Sequence, residues 1–190
     1  MTATPTTLPD ITLILGGTRS GKSEYAEQLT AQIASAVLYI ATAENRPGSG
    51  SMNERIRRHR ERRPSSWTTF ECPLHLASRI RQANALQGKN AVLLDCVTLL
   101  TSNTLFSLPN PEDLDAFEHA LNNELDELAA LIIQSEIPWI IVSSETGLGL
   151  AAADKTSRNY CDGLGMANRI LAELANRVFL MIAGLPLTLK

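Results

Sequence analysis

Short apolar runs alternate with longer amphipathic stretches along the 190 residues of the chain. Apolar runs of about five residues are typical of buried strands in a parallel sheet. We predict strands at 11–15, 37–41, 91–95, 139–143 and 178–182, and residues 185–190 are long enough for a short edge strand. A shorter apolar stretch at 67–70 marks one further strand end.

Helical patterns separate these runs. We predict helices at 24–34, 74–86 and 156–176, and a long one that begins where Asn110 acts as cap and Pro111 takes the first helical position. The long helix has one apolar face, formed by Leu114, Phe117, Leu121, Leu125, Leu128 and Ile132. Alternating strands and helices predict an α/β fold, in which helices cover both faces of a mostly parallel sheet. Ligands of such folds bind beyond the carboxyl ends of the strands.

The length and composition of the chain predict one globular domain. We assign residues 11–190 to that domain and the Thr- and Pro-rich residues 1–10 to a flexible extension. Hydrophobic residues make up 44% of the chain and charged residues 19%, which excludes a disordered or fibrous protein. A net charge of −3 argues against general nucleic-acid binding.

The cysteines and the N-terminus suggest where the protein acts. Three cysteines without C-x-x-C spacing suit a reducing compartment better than disulfides or zinc. The N-terminus has neither a basic start nor an apolar segment, and we expect neither a secretion signal nor a membrane span. These features together predict a cytoplasmic protein.

A glycine-rich segment follows the first predicted strand and leads into the first predicted helix. It fits the pattern G-x-x-x-x-G-K-[ST] at every fixed position and consists of Gly16, Gly17, Thr18, Arg19, Ser20, Gly21, Lys22 and Ser23. A strand that turns sharply into a helix directs backbone N–H groups and the positive helix end at one point, which binds phosphate. Lys22 is expected to reach the outer phosphates and Ser23 to ligate Mg²⁺. The segment predicts binding of a nucleoside triphosphate.

A strongly basic segment, Asn53 to Arg63, contains six arginines and two glutamates. On a helix, Arg55, His59 and Arg62 would share one face. Taken alone, the segment fits a solvated basic helix or a nucleic-acid patch. Beside a triphosphate site, its arginines are better suited to bind phosphate oxygens through bidentate hydrogen bonds.

His59 is the candidate nucleophile of this segment. Surrounding guanidinium groups disfavour a second positive charge and keep the imidazole neutral. A neutral imidazole can attack phosphorus and hold a phosphoramidate. We interpret His75 and His119, which lie in other helical patterns outside the arginine-rich segment, as structural or surface residues.

Polar residues follow several of the predicted strands. Asp95 ends the run AVLLD, where phosphate-loop enzymes often place the carboxylate that holds Mg²⁺ or its water shell. Glu71, Thr42 and Glu145 also lie at predicted strand ends, and each is an individually weaker candidate for contact with a nucleotide.

The chain resembles the adenosylcobinamide kinase/adenosylcobinamide-phosphate guanylyltransferase family of cobalamin biosynthesis. The stretches that carry the resemblance are GGTRSGKSEYAE, VLYIATA, ERIRRHRERRP, FEC, LLDCVT and VSSETGLG, in family order. The resemblance implies a RecA-like phosphate-loop fold and a bifunctional enzyme. Such an enzyme phosphorylates adenosylcobinamide with GTP or ATP, and then transfers GMP from GTP onto the adenosylcobinamide phosphate.

The same resemblance implies roles for particular residues. His59 would accept GMP covalently, and Lys22 would act with it in catalysis. The nucleotide would contact the glycine-rich segment together with Ala41, Thr42, Ala43, Arg60, Glu61, Arg62, Arg63, Glu71 and Asp95. Ser23 and Asp95 would hold Mg²⁺ through the nucleotide, and the family suggests a homotrimer.

Two other functions remain compatible with the glycine-rich segment. One is a kinase of another small alcohol, with the basic segment as a cover over the site. The other is a GTP-operated switch, although the chain has no N-K-x-D element for reading guanine. A nucleic-acid motor is disfavoured by the acidic charge balance and the short length.

Overall fold

The computed structural model describes residues 9–43, 57, 63–149 and 151–190. Within that part of the chain, seven strands form one sheet. They are β1 Ile11–Gly16, β2 Val37–Ala41, β3 Thr68–Glu71, β4 Ala91–Asp95, β5 Trp139–Val142, β6 Arg177–Ile182 and β7 Leu185–Thr188. The predicted strands and the predicted edge strand are therefore present, with bounds that differ by at most two residues.

The sheet order is β3-β2-β4-β5-β1-β6-β7. The strand pairs from β3 through β6 are parallel, and only the β6–β7 pair is antiparallel. This confirms the mostly parallel sheet predicted from the alternation of strands and helices. Because β1, β4 and β2 run in one direction, Gly16, Asp95 and Ala41 all lie at the same edge of the sheet.

Five helices lie within the described residues. They are α1 Lys22–Ile33, α2 Leu76–Gln82, α3 Val97–Ser107, α4 Leu114–Ser135 and α5 Lys155–Leu174. The predicted helix at 74–86 is too long, because the chain turns after Gln82 with Asn84 and Gly88 at positive φ. Helix α3 was not predicted, because the threonines Thr101 and Thr104 are buried on its core face and break the apolar period.

The predicted start of the long helix is wrong. Asp113 is its N-cap, and the Asp113 side chain accepts a hydrogen bond from the Ala116 amide. Asn110 instead closes the preceding turn, where its side chain accepts from the Glu112 amide at 3.1 Å. Both residues are good caps, and the cap nearer the apolar face, whose first helical residue is Leu114, is the one used.

Two buried clusters lie on opposite faces of the sheet. On one face, α1 packs on β1, β4 and β5, together with Tyr39 and Trp67. On the other face, α2, α3, α4 and α5 pack on one another and cover a larger core. The N-terminal residues join this fold at Asp10, whose carboxylate binds the Arg177 guanidinium at 2.7 Å. Residues 1–8 of the predicted flexible extension lie outside the described residues.

None of the described helices has the length and apolar character needed to cross a membrane.

Candidate nucleotide-binding site

The glycine-rich loop joins the end of β1 to the start of α1 in a backbone shape that excludes side chains at two points. Gly16 has φ +148° and Gly21 has φ +93°, values that L-residues rarely adopt. A Cβ on Gly16 would lie 2.7 Å from the Met181 carbonyl oxygen and 2.7 Å from Ser20 Oγ. Glycine at position 16 is therefore required by both conformation and space.

The loop is held from two sides by the ends of neighbouring strands. The Glu145 amide, after β5, donates to the Gly16 carbonyl at 3.0 Å. The Gly184 amide, in the turn between β6 and β7, donates to the Ser20 carbonyl at 3.1 Å. These two contacts fix a loop whose outer residues are exposed.

The exposed part of the loop has the character of an anion site. Gly17, Thr18 and Arg19 are exposed, and the α1 N-terminus begins directly behind them at Lys22. Lys22 Nζ lies 2.6 Å from the Gly17 carbonyl oxygen, so its ammonium group is folded over the loop. Unpaired N–H groups at a helix N-terminus and a lysine at the same point attract a phosphate group.

Asp95 lies at the end of β4, two strands from the loop, which is roughly 10 Å at the usual strand spacing. Its Oδ2 accepts a hydrogen bond from the Tyr39 hydroxyl at 2.6 Å. Burial, and secondarily the Asp95 charge, hold the pKa of Tyr39 well above its usual value, so the phenol stays protonated and donates. The peptide bond between Asp95 and Cys96 is cis.

Thr42 connects the ends of β2 and β4. Its hydroxyl donates to the Cys96 carbonyl at 2.7 Å and accepts from the Cys96 amide at 2.8 Å. Its own amide donates to the Asp95 carbonyl at 3.1 Å. The Thr42 side chain is fully buried, so this residue shapes the strand ends that carry Asp95. Direct contact between Thr42 and a nucleotide stays a prediction.

The remaining predicted residues of β2 and β3 lie farther from the loop. Ala41 ends β2, and its carbonyl accepts from the Cys72 amide, while Ala43 follows half-buried. Glu71 ends β3 at the outer edge of the sheet and is exposed. Four strand spacings, roughly 20 Å, separate β3 from β1. Among the predicted site residues on the described strands, Glu71 thus lies on the strand farthest from the loop.

Most of the basic segment lies outside the described residues, including His59, Arg60, Glu61 and Arg62. Arg63 is described, and its guanidinium carbon lies 3.3 Å from the centroid of the Tyr39 ring. Arg63 also donates to Thr69 Oγ1 at 3.2 Å. The last arginine of the segment is therefore held against β2 and β3, and its contact with phosphate stays a prediction.

The described residues contain no group of three or more His, Cys, Asp or Glu side chains that could hold a metal ion. Ser23, in the first turn of α1, and Asp95 supply a hydroxyl and a carboxylate at the same edge of the sheet. Oxygen donors of this kind, few in number, fit Mg²⁺, which keeps several waters and binds largely through substrate phosphates.

The sequence patterns missed two residues that organise this edge. The apolar pattern predicts Tyr39 only as a strand residue, although its hydroxyl donates to Asp95. Asn103, on the unpredicted helix α3, donates to the Thr42 carbonyl at 2.9 Å and to the Pro73 carbonyl at 3.0 Å. A tyrosine within an apolar run is a signal that could have indicated Tyr39. Asn103 could be found only if helix α3 itself had been predicted.

Comparison with known proteins places this chain in a family. The model of the cobinamide kinase / cobinamide phosphate guanyltransferase family matches residues 12–189. A Pseudomonas aeruginosa protein named bifunctional adenosylcobalamin biosynthesis protein CobP is 44% identical over 94% of this chain and 96% of its own length. Proteins named CobU from Salmonella typhimurium and Escherichia coli are 35% and 36% identical, each over 94% of this chain and 98% of its own length.

Solved structures support the fold alone. A KaiC-like protein of Pyrococcus horikoshii is similar with a TM-score of 0.52 at 10% identity, over 91% of this chain and 71% of its own. The flagellar accessory protein FlaH of Methanocaldococcus jannaschii is similar with a TM-score of 0.53 at 13% identity, over 96% and 80%. Both agree with the predicted RecA-like phosphate-loop architecture.

Proposed function

Because the chain belongs to the cobinamide kinase / cobinamide phosphate guanyltransferase family, we propose that it carries out two consecutive reactions on one corrinoid. It phosphorylates adenosylcobinamide with GTP or ATP, and it then transfers GMP from GTP to the adenosylcobinamide phosphate, in the late steps of cobalamin biosynthesis. The observation that carries the proposal is the phosphate loop, built from Gly16 to Ser23 at the end of β1, in a chain that the family model matches almost throughout.

In the kinase step, the corrinoid hydroxyl attacks the γ-phosphorus, the bond to the β-phosphate oxygen breaks, and the hydroxyl proton passes to water. Positioning and charge stabilisation dominate such reactions. Lys22 and the amides of the glycine-rich loop supply positive character beside the transferred group. Lys22 moves off the Gly17 carbonyl and onto the phosphates in this step.

In the guanylyl step, a neutral ring nitrogen of His59 attacks the α-phosphorus of GTP. A nitrogen–phosphorus bond forms, and pyrophosphate leaves towards Lys22. An oxygen of the corrinoid phosphate then attacks the same phosphorus, the nitrogen–phosphorus bond breaks, and His59 is restored. The histidine acts as a temporary carrier that splits one displacement into two. Support for this step comes from the sequence, through His59 and the neighbouring Arg60, Arg62 and Arg63.

Mg²⁺ is the metal that the donor set at this edge fits. Ser23 and Asp95 would hold it through the nucleotide, and when bound it would neutralise charge on the phosphates. The role of Asp95 is to offer a carboxylate oxygen in a fixed orientation, since its other oxygen is bound by Tyr39.

Two isotope positions separate the proposed reactions from the alternatives. With adenosylcobinamide present, γ-labelled GTP should place one label in the corrinoid, and α-labelled GTP should place a second label in the same product. A kinase of another alcohol would place no label from either nucleotide in the corrinoid. A GTP-operated switch would only release labelled phosphate from γ-labelled GTP. Either of those results would overturn the proposal.

The histidine carrier has its own test. Wild-type protein incubated with α-labelled GTP and Mg²⁺, then denatured, should retain a label that survives base and is lost in acid, as expected of a phosphoramidate. His59→Ala should retain none. His119→Ala is the matched control, since His119 is exposed on α4 with its ring near the Asn123 amide, and it should label normally. Equal labelling of His59→Ala would show that another residue carries GMP.

The assembly and compartment complete the proposal. We propose a homotrimer, on the family resemblance of the sequence, and a measurement of mass in solution tests it. Cys72, Cys96 and Cys161 are free, and burial with the nearby Asp95 charge raises the pKa of the Cys96 thiol to about 11. Free cysteines suit a reducing compartment, and we place the enzyme in the cytoplasm on that ground.

A further inference from the structure

Three side chains from separate parts of the chain contact one another in sequence at the phosphate-binding edge. The Arg63 guanidinium lies on one face of the Tyr39 ring, 3.3 Å from its centroid. The Tyr39 hydroxyl in turn donates to Asp95 Oδ2 at 2.6 Å. A cation, a phenol and a carboxylate therefore form one connected series that ends at the proposed metal-binding residue.

Packing fixes the middle of this series. Tyr39 lies on β2, which is paired on both sides, and is 2% exposed. Its ring stacks on Trp67 with centroids 6.4 Å apart and planes 28° apart. A buried phenol packed against both a guanidinium and an indole has little freedom to change its orientation. Because the Tyr39 hydroxyl donates to Oδ2, it restricts the rotation of the Asp95 carboxylate and thereby the directions in which Oδ1 can point.

We propose that Tyr39 and Arg63 are positioning residues, which orient the Asp95 carboxylate for the Mg²⁺-bound nucleotide. The inference rests on the proposed metal-binding role of Asp95 and assigns to Arg63 a function other than contact with phosphate. Hydrogen-bond partners behind a metal ligand restrict its orientation, and their removal typically weakens metal affinity by about 10- to 100-fold.

Arg63 acts on Asp95 through the ring of Tyr39. A guanidinium over an aromatic face is attracted by the ring electrons, and it draws electron density away from the phenol oxygen. The hydroxyl then becomes a stronger donor to a carboxylate. Arg63 is itself anchored, since it donates to Thr69 Oγ1 at 3.2 Å. Lysine offers no planar group to stack on the ring, so Arg63→Lys is expected to restore the effect only in part.

The Mg²⁺ dependence of nucleotide binding tests the proposal without requiring catalysis. The probe is GTP that carries a fluorescent methylanthraniloyl group, titrated with Mg²⁺ against wild type and Tyr39→Phe, which keeps the ring and removes the hydroxyl. We expect Tyr39→Phe to need about tenfold more Mg²⁺ for half-maximal effect, with unchanged binding of the probe in EDTA. The matched control is Tyr160→Phe, because the Tyr160 hydroxyl donates to the Thr98 carbonyl instead. This control should follow the wild-type Mg²⁺ curve.

A second pair of variants keeps the test decisive if Tyr39→Phe does not fold. Arg63→Met should raise the Mg²⁺ concentration needed for half-maximal effect about threefold, and Arg63→Lys should raise it less. Where Tyr39→Phe folds, adding Arg63→Met to it should raise that concentration no further. The positioning role is overturned if the Mg²⁺ curve of Tyr39→Phe coincides with that of wild type. If only Arg63→Met folds, the same result for Arg63→Met overturns it.

Together with the isotope experiment on the corrinoid, the Mg²⁺ titrations separate this inference from the proposed function. If wild type binds the probe with Mg²⁺ but transfers no label to the corrinoid, the proposed function fails and the Mg²⁺ curves still decide the positioning role. If wild type binds no probe under either condition, both proposals are overturned.

Discussion

At the scale of single residues, the phosphate loop depends on the absence of one methyl group. Gly16 has positive φ, and the space where its Cβ would lie is closed by a backbone carbonyl of β6 and by Ser20 Oγ. The carbonyl cannot move without disturbing the β1–β6 pairing, since Gly16 and Met181 are partners in that pair. The loop must therefore move instead.

The first prediction concerns this glycine. We expect Gly16→Ala to bind the fluorescent GTP analogue about 100-fold more weakly than wild type, because backbone strain and a close contact act on the same loop. Fluorescence titration measures the affinity. Gly165→Ala is the control, since a Cβ at position 165 meets no atom within 4 Å. A Gly16→Ala affinity within twofold of wild type would contradict the account of the loop.

The role of a residue could be predicted from the sequence where it belongs to a motif with fixed spacing. It could not be predicted where it depends on a hydrogen-bond partner far away in the chain. Gly16, Gly21 and Lys22 carry a local motif, and the structure places them in the loop that the motif describes. Tyr39 has no such signature, because its role depends on Asp95, 56 residues away along the chain. The spacing of a motif is a local property, whereas a hydrogen-bond partner depends on the whole fold.

At the scale of elements, α4 and α5 pack more closely than ordinary side chains allow. Gly163 is buried on α5, and a Cβ there would lie 2.7 Å from Phe117 Cζ and 3.1 Å from Leu121 Cδ2, both on α4. The glycine lowers the helix propensity of α5 but permits the contact with the Phe117 ring. The approach of the two helices thus depends on this one position.

The second prediction uses two glycines of the same helix. Gly163→Ala should lower the free energy of unfolding by about 2 kcal/mol, because it overpacks the contact between α4 and α5. Gly165→Ala, two residues along and exposed, should raise it by about 0.5 kcal/mol through helix propensity. Denaturant unfolding measures both. Stabilisation by Gly163→Ala would show that the two helices separate at little cost.

The third prediction concerns the N-cap of α5. Asp154 accepts hydrogen bonds from the Ser157 amide at 2.8 Å and from the Ser157 hydroxyl at 2.7 Å, and these bonds lower the pKa of the Asp154 carboxyl. A carboxyl with a lowered pKa stabilises the fold above its unfolded pKa, and that contribution is lost as the pH falls through its folded pKa. We therefore expect Asp154→Ala to lower Tm at neutral pH by an amount that shrinks below about pH 4.

Asp154→Asn is the matched variant for this cap. Asparagine also accepts from helix amides, so its Tm at neutral pH should stay close to wild type, while the pH dependence of the cap disappears. Thermal melts across the acid range measure all three proteins. A Tm difference between wild type and Asp154→Ala that stays constant down to pH 3 would contradict the cap's charge dependence.

Elements with an uninterrupted pattern were predictable, and elements that mix polar with buried positions were not. Each apolar run that we predict as a strand is a strand in the structure, because short β-branched runs bounded by turn residues suit a buried parallel sheet. Helix α3 was missed because two of its buried residues are threonines, of which Thr104 satisfies its hydroxyl on the Leu100 carbonyl at 2.9 Å. Binary patterning treats such residues as surface positions.

At the scale of the whole molecule, the sheet order determines which groups form the site. Strand β5 lies between β1 and β4, so the phosphate loop and Asp95 are separated by one intervening strand. The order of strands in a sheet depends on long-range packing, which the alternation of strands and helices does not specify. The sequence therefore indicated the phosphate loop and Asp95 at this edge, but not the spacing between them.

The fourth prediction concerns the stability of the whole chain with ligand. GTP with Mg²⁺ at about 100 times its Kd should add about 2.7 kcal/mol to the free energy of unfolding, because only the folded loop binds phosphate. For a chain of this size the Tm should rise by about 5–10 °C. Lys22→Ala should lose most of that rise. An equal rise for Lys22→Ala, measured by differential scanning calorimetry, would place the nucleotide elsewhere.

The central claim is that His59 carries GMP between the two substrates, and a chase experiment tests it most directly. Protein labelled with α-labelled GTP is freed of nucleotide and then mixed with adenosylcobinamide phosphate alone. The account predicts that the label leaves the protein and appears in the corrinoid, at a rate no slower than kcat. Label that stays on the protein, or passes to water while the corrinoid product forms at its normal rate from GTP, would contradict the account.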